Sequence, residues 1–295
     1  MPLIAGRSIT LPPVVSVLTI VVTVLSVAGA LAVNHWYWRP RQARDRSRNE
    51  GMTTHEIAVP LVTLAVVLLV FVLVQVFSSW TSAGRAETDE ATSTLLLFRE
   101  GELLDDVQVR GRVRADVVCY ATSVVEQDWP AMADGRISNV PTYWGDRLRE
   151  AGVQQARSSA NPDNGTDLVA RDGERAAARQ RQLAEARPSV PDALNLLMLA
   201  AVAGTLVVLG VASAGVVRPG VHAGIVVLSG VIFGATLLLI RDFDQPYRGL
   251  TGREPEQTRF VRDLMAAELR QPLPCRGDGL PRDDPAFRVA TGALR

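Results

Sequence analysis

His35, His55 and His222 are the only histidines in the chain, and none has a neighbour at metal-ligand spacing. Cys119 and Cys275 are the only cysteines. Without a C-x-x-C pair, zinc, haem and thioredoxin-type chemistry have no support. The two read as unrelated thiols, able to bond only if both face an oxidising compartment. No G-x-S-x-G, P-loop or dinucleotide fingerprint occurs. Asp105-Asp106 and Asp283-Asp284 are acidic pairs, but adjacent helical residues point to different faces, so both read as solvated charge rather than catalytic dyads. No enzymatic activity and no cofactor are expected.

Two constellations remain. The first is Tyr120, Glu126, Trp129 and Pro130, spaced Tyr-x5-Glu-x2-Trp-Pro. The second is Asp244, Pro246, Tyr247 and Gly249. In the second, Asp244 can accept backbone N–H groups in a turn, Pro246 stops a helix and Gly249 supplies a positive φ. Tyr247 and Trp129 would anchor at a membrane interface. A functional reading makes Glu126, Asp242 and Asp244 a carboxylate rim for a cation or an arginine. The structural reading is favoured, because helix ends need such groups in any case.

The elements that must hold these residues follow from the apolar pattern. Of 295 residues, 31 are basic and 31 acidic, and every basic residue is arginine. A net charge of zero with no separate basic domain argues against a nucleic-acid partner. Four runs are nearly free of charge: 11–33, 57–77, 193–217 and 221–240. Each approaches the ~20 residues a helix needs to cross a bilayer. The first is longer than the about 7–15 residues of a signal-peptide core, so it reads as a retained span. The interiors of the runs lack Asp, Glu and Arg, which argues against a pump or a proton-coupled carrier. A passive pore with an apolar constriction stays open as a reading.

Between the second and third runs, periodicity predicts helices. Val113, Val117, Tyr120 and Val124 share one face; so do Ala91, Leu95 and Phe98, and Trp144, Leu148 and Ala151 after Pro141. Residues 161–165 read as a turn, 166–187 as a charged surface helix, and 256–269 as a helix. Gly220 with Gly224, and Gly230 with Gly234, have the G-x-x-x-G spacing that lets helices approach closely, here within one subunit. The expected fold is all-α: a polytopic membrane protein with four transmembrane helices, two plus two, and a helical extramembrane region between the second and third. Its segments are 1–80 (head and first helix pair), 81–191 (helical region), 192–240 (second hairpin) and 241–295 (tail, disordered after 271). The lipid bilayer is the expected partner and the bacterial cell membrane the expected location. Arg39, Arg41, Arg44, Arg46 and Arg48, in a short connection, argue that this loop is cytoplasmic and that 81–191 faces outward.

The two constellations also carry a resemblance. The stretch from Tyr120 to Pro130 with Met132, Asp244 to Gly249 followed by Pro255 and Phe260, and Arg179-x-Arg181-x-Leu183 leading to Pro191 resemble the bestrophin-like bacterial membrane proteins of unknown function. The resemblance covers 11–269. Tyr247 stands where the family usually has Phe, and Leu194-Asn195 where it often has Trp. It implies kinship with the bestrophins, pentameric anion channels whose second span lines an apolar neck and whose middle region is cytosolic. By that analogy Val70, Phe71, Val74 and Phe77 are neck candidates, and the middle region faces inward, against the charge rule. Two functions follow as expectations. One is an oligomeric passive anion channel, with an anion and further copies of the chain as partners. The other is a non-conducting scaffold or sensor that binds a protein partner through its middle region.

Overall fold

The computed structural model describes residues 13–33, 54–158, 162–213 and 219–282. The aromatic cluster 35–38, the arginines at 39–48, Arg218 and the tail beyond 282 lie outside the described residues. Among those described, the chain is helical, with no named strand. In order come α1 (Pro13–Val33), α2 (Thr54–Glu100), α3 (Val107–Ser123), α4 (Trp129–Ala133), α5 (Val140–Ser158), α6 (Pro162–Glu185), α7 (Asp192–Ser213), α8 (Pro219–Phe243) and α9 (Glu256–Glu268). Three helices are long and apolar enough to cross a membrane: Val59–Leu103, Asp192–Ala212 and Gly220–Phe243. Helix α1 is apolar and 21 residues long. The chain divides into two compact units, 1–79 with 188–244, and 80–187 with 245–295.

In the first unit, Leu69, Val72 and Val76 of α2 meet Met198, Val202 and Leu206 of α7 and Leu237 and Ile240 of α8 in a buried apolar core. Several hydroxyls in these helices are satisfied locally. Thr23 Oγ1 donates to the Thr19 carbonyl (2.8 Å) and Ser26 Oγ to that of Val22 (2.7 Å). Such back-bonding is what a hydroxyl must do where no water is available.

The second unit is built on Phe98, Leu104, Val117, Tyr120, Trp144, Leu148, Leu168 and Met265. Helix α3 starts where Asp106 accepts the N–H groups of Gln108 (2.7 Å) and Val109 (3.2 Å), a side-chain cap on otherwise orphaned donors. The predicted faces of α3 and α5 are buried: Val113, Val117, Tyr120 and Val124 on one, Trp144 and Leu148 on the other. Between α3 and α4 the backbone widens into a π-turn, Val124–Asp128.

Five expectations need correction. Residues 57–77 and the helix holding Ala91, Leu95 and Phe98 are one element, the 47-residue α2. No proline interrupts it after Pro60, so nothing in the sequence breaks it. Residues 162–165 form the first turn of α6 rather than a loop, because Pro162 is preorganised for a helix start. Gly165 is needed there for packing: a Cβ would overlap the Ala156 backbone of α5. Helix α6 is not a surface helix, since Leu168, Asp172, Arg175, Ala178, Arg179 and Gln182 are buried. The tail is ordered from 271 to 282. Trp144 Nε1 donates to the Gly279 carbonyl (2.8 Å), Gln127 Nε2 to that of Asp278 (3.0 Å), and Arg276 N to that of Leu280 (2.8 Å). Lastly, Cys119 and Cys275 are not separate thiols. They form a disulfide across a sequence separation of 156, with Cα atoms 5.7 Å apart, and both are buried.

Candidate functional site

Helix α2 carries two apolar faces through the first unit. One is consumed by the core. The other presents Val70, Phe71, Val74 and Phe77 at 54, 70, 64 and 50 % exposure. Val67 and Leu64 extend the same stripe one and two turns earlier. Phe77 is partly steadied by an edge-on contact with Phe243 of α8, ring centroids 5.8 Å apart. A stripe of this kind has no charge with which to bind an ion. It can narrow a pathway and control whether water fills it.

The first sequence constellation lies in the second unit, around a buried cluster of charge. The Tyr120 hydroxyl, on α3, donates to Glu90 Oε1 of α2. Burial, with the Glu90 carboxylate beside it, pushes this phenol above its ordinary range, so it stays a donor. Arg179 of α6 pairs with Asp128 (3.0 Å) and lies 3.6 Å from Glu90. Arg175, one turn earlier, donates to Asp172 (2.6 Å) and stacks 4.3 Å over the Tyr120 ring. Three carboxylates thus face two buried guanidiniums, with the more exposed Arg149 reaching Asp172 at 3.4 Å. The π-turn is what sends Asp128 inward, where it also accepts the Ser138 N–H (3.0 Å). Beside Arg175 and Arg179 opens a polar cavity of about 230 Å³, lined also by Gly145, Arg149 and Asp172. That is below the ~300 Å³ at which small-molecule sites begin.

The remaining members of the constellations hold structure together. Glu126 leaves the π-turn toward the surface and pairs with Arg262 of α9 (3.0 Å). Trp129 Nε1 donates to the Arg253 carbonyl (2.9 Å), and its ring meets Tyr247 edge-on at 5.0 Å. Trp129 and Tyr247 are therefore buried partners, not anchors at a membrane interface. Pro130 sits in the first turn of α4. The Pro246 carbonyl accepts the Arg253 N–H (2.8 Å), and Gly249 closes this loop at φ +82°, a conformation that side chains resist. Asp244 belongs to the first unit. It accepts the Ser189 N–H (2.8 Å), the Ser189 hydroxyl (2.9 Å) and the Val190 N–H (3.0 Å), fixing the approach to α7. Glu126 is thus engaged by Arg262 in one unit and Asp244 by Ser189 and Val190 in the other. Among the described residues no three of His, Cys, Asp and Glu are grouped to hold a metal.

The glycine pairs separate. Gly230 and Gly234 of α8 lie against Val27 and Thr23 of α1, where a Cβ would crowd both. Gly220 and Gly224 face open space, so the expectation that this pair packs within the subunit is not met among the described residues.

Glu90, Asp128, Asp172 and Arg175 were not singled out from the sequence. A signal existed on α6: Leu168, Asp172, Arg175, Arg179 and Gln182 follow i, i+4, i+7, i+11, i+14, one face of a helix. Their charge disguised it as a solvated face.

No curated protein matches the chain. Among solved structures, a membrane protein superposes with a TM-score of 0.68 at 14% identity, over 86% of this chain and 99% of its own. Two variants of a bacterial bestrophin homologue from Klebsiella pneumoniae superpose with a TM-score of 0.66 at 15% identity. One covers 87% of this chain and 99% of its own. The other covers 90% and 100%. At such identities the likeness is one of fold. The bestrophin-like domain, in turn, matches residues 11–257. With that match spanning most of its length, this multi-pass membrane protein belongs to the bestrophin-like domain family.

Proposed function

We propose that several copies of this chain form a passive anion pore in the cell membrane. In this reading α1, α2, α7 and α8 are four spans, and Val70, Phe71, Val74 and Phe77 of α2 are its apolar neck. One observation carries the proposal: α2 has a second apolar face, with Val70, Phe71 and Val74 at its centre, that its own bundle leaves more than half exposed. Family membership adds the likeness to bestrophin homologues. The absence of Asp, Glu and Arg from the interiors of the apolar runs fits passive flow, since coupled transport needs ionisable groups to carry protons or ions. An apolar neck selects by the cost of stripping water from an ion and shuts when it dewets.

Purified protein in chloride-loaded liposomes is expected to release chloride faster than protein-free liposomes. Phe71→Ala, which widens the neck, is expected to raise the rate several-fold. Folded oligomers that pass no chloride, in the native form and in Phe71→Ala alike, would overturn the proposal.

A further inference from the structure

We infer that the helical unit formed by 80–187 and 245–295 faces the oxidising, extracytoplasmic side of the membrane. The first observation is the Cys119–Cys275 bond. It joins α3 to the ordered segment after α9, deep in the unit's core, where both cysteines are buried. Thiols kept in the cytoplasm stay reduced, and structural disulfides form where an oxidant is supplied. The chain has no third cysteine, so this pair has no exchange partner within the molecule and no second role in a redox relay. The ordered segment is fitted to the bond rather than merely near it. Arg282 Nε donates to the Cys275 carbonyl (2.9 Å), and Trp144 and Gln127 hold 278–279 in place.

The second observation is independent and lies in the sequence. Arg39, Arg41, Arg44, Arg46 and Arg48 crowd a short connection between the first two apolar runs, with Asp45 as the sole acid among them. Short arginine-rich connections stay on the cytoplasmic side. An odd number of crossings, the single one of α2, separates that connection from residue 80. Both observations place the unit on the same side, opposite to the cytosolic placement that kinship with bestrophins implies. Arg175 and Arg179, which line the polar cavity beside the buried Glu90 and Tyr120, then belong to an extracytoplasmic unit. The orientation rests on the unit lying outside the bilayer and not on conduction.

The test uses the full chain in a bacterial host with alkaline phosphatase, or separately green fluorescent protein, fused after Arg295. The phosphatase folds only when exported and the fluorescent protein matures only in the cytoplasm. In parallel, cells bearing the unfused chain are quenched in acid, denatured and treated with polyethylene-glycol maleimide, with and without prior reduction. The expected result is an active phosphatase fusion, a dark fluorescent fusion, no adduct without reductant and two adducts after it. A fluorescent fusion with inert phosphatase, or two adducts without reductant, would overturn the inference. Neither readout depends on ion flux, so the pore proposal and this one fail separately.

Discussion

The Asp128 carboxylate accepts from Arg179 and from the Ser138 N–H while wholly enclosed. Removing one member of such a pair leaves the other charged and dry, which costs about 3–5 kcal/mol. Asp128→Ala is therefore expected to destabilise the helical unit by that order, read as a lowered unfolding midpoint in detergent. Asp116 offers a pH dependence. Burial pushes its carboxyl up to about 6 despite the Arg147 guanidinium 3.2 Å away. Because the folded state holds this proton more tightly than the unfolded one, the contribution is greatest below about pH 4. It declines as pH rises to about 6 and is flat above. Asp116→Asn is expected to remove that slope, on the order of 2–3 kcal/mol, when the unfolding of variant and native protein is compared from pH 4 to 7. At this scale Tyr120 was visible from its motif. Glu90 was not, and although Arg179 stood in a family motif, nothing in a linear chain shows that residues 30 and 59 positions from Tyr120 meet at one buried carboxylate.

Elements were legible where burial is periodic and apolar. The faces of α3 and α5, the extent of α9 and the apolar runs could all be read, since a 3.6-residue repeat survives any tertiary arrangement. Charged periodicity misled: α6 has a regular inward face, but two arginines and an aspartate stand in its middle. The ordered tail was hidden for a related reason. Pro, Gly, Asp and Arg suggest disorder, and long-range contacts, among them the disulfide and the hydrogen bonds from Trp144 and Gln127, outweigh that composition. Helix packing gives a prediction at this level. Gly230→Leu and Gly234→Leu would drive side chains into Val27 and Thr23 of α1, and are expected to cost about 1–3 kcal/mol each by overpacking. Gly224→Leu meets open space and is expected to leave the thermal midpoint of the folded chain unchanged.

For the molecule as a whole, the two units differ in what stabilises them. The first relies on apolar packing of the kind lipid permits. The second adds a covalent staple across 156 positions. In the chain-entropy view a loop of that size is worth about 5 kcal/mol. Replacing both cysteines with alanine is expected to sensitise the helical unit to protease, with the first unit protected in the membrane. Reductant should reproduce the effect in the native chain and add nothing to the variant.

The helical unit is also discontiguous: 80–187 is completed by 245–295, and the stretch from 188 to 244 lies between them in the chain. During synthesis, α3, α5 and α6 are finished long before their last partners exist. Until the ribosome has made α7, α8 and the segment beyond, Trp144 lacks its acceptor, Trp129 lacks Tyr247 and Cys119 waits as a thiol. Maturation of this half must therefore be post-insertional, and a stalled or truncated chain would leave a half-made domain open to quality-control proteases.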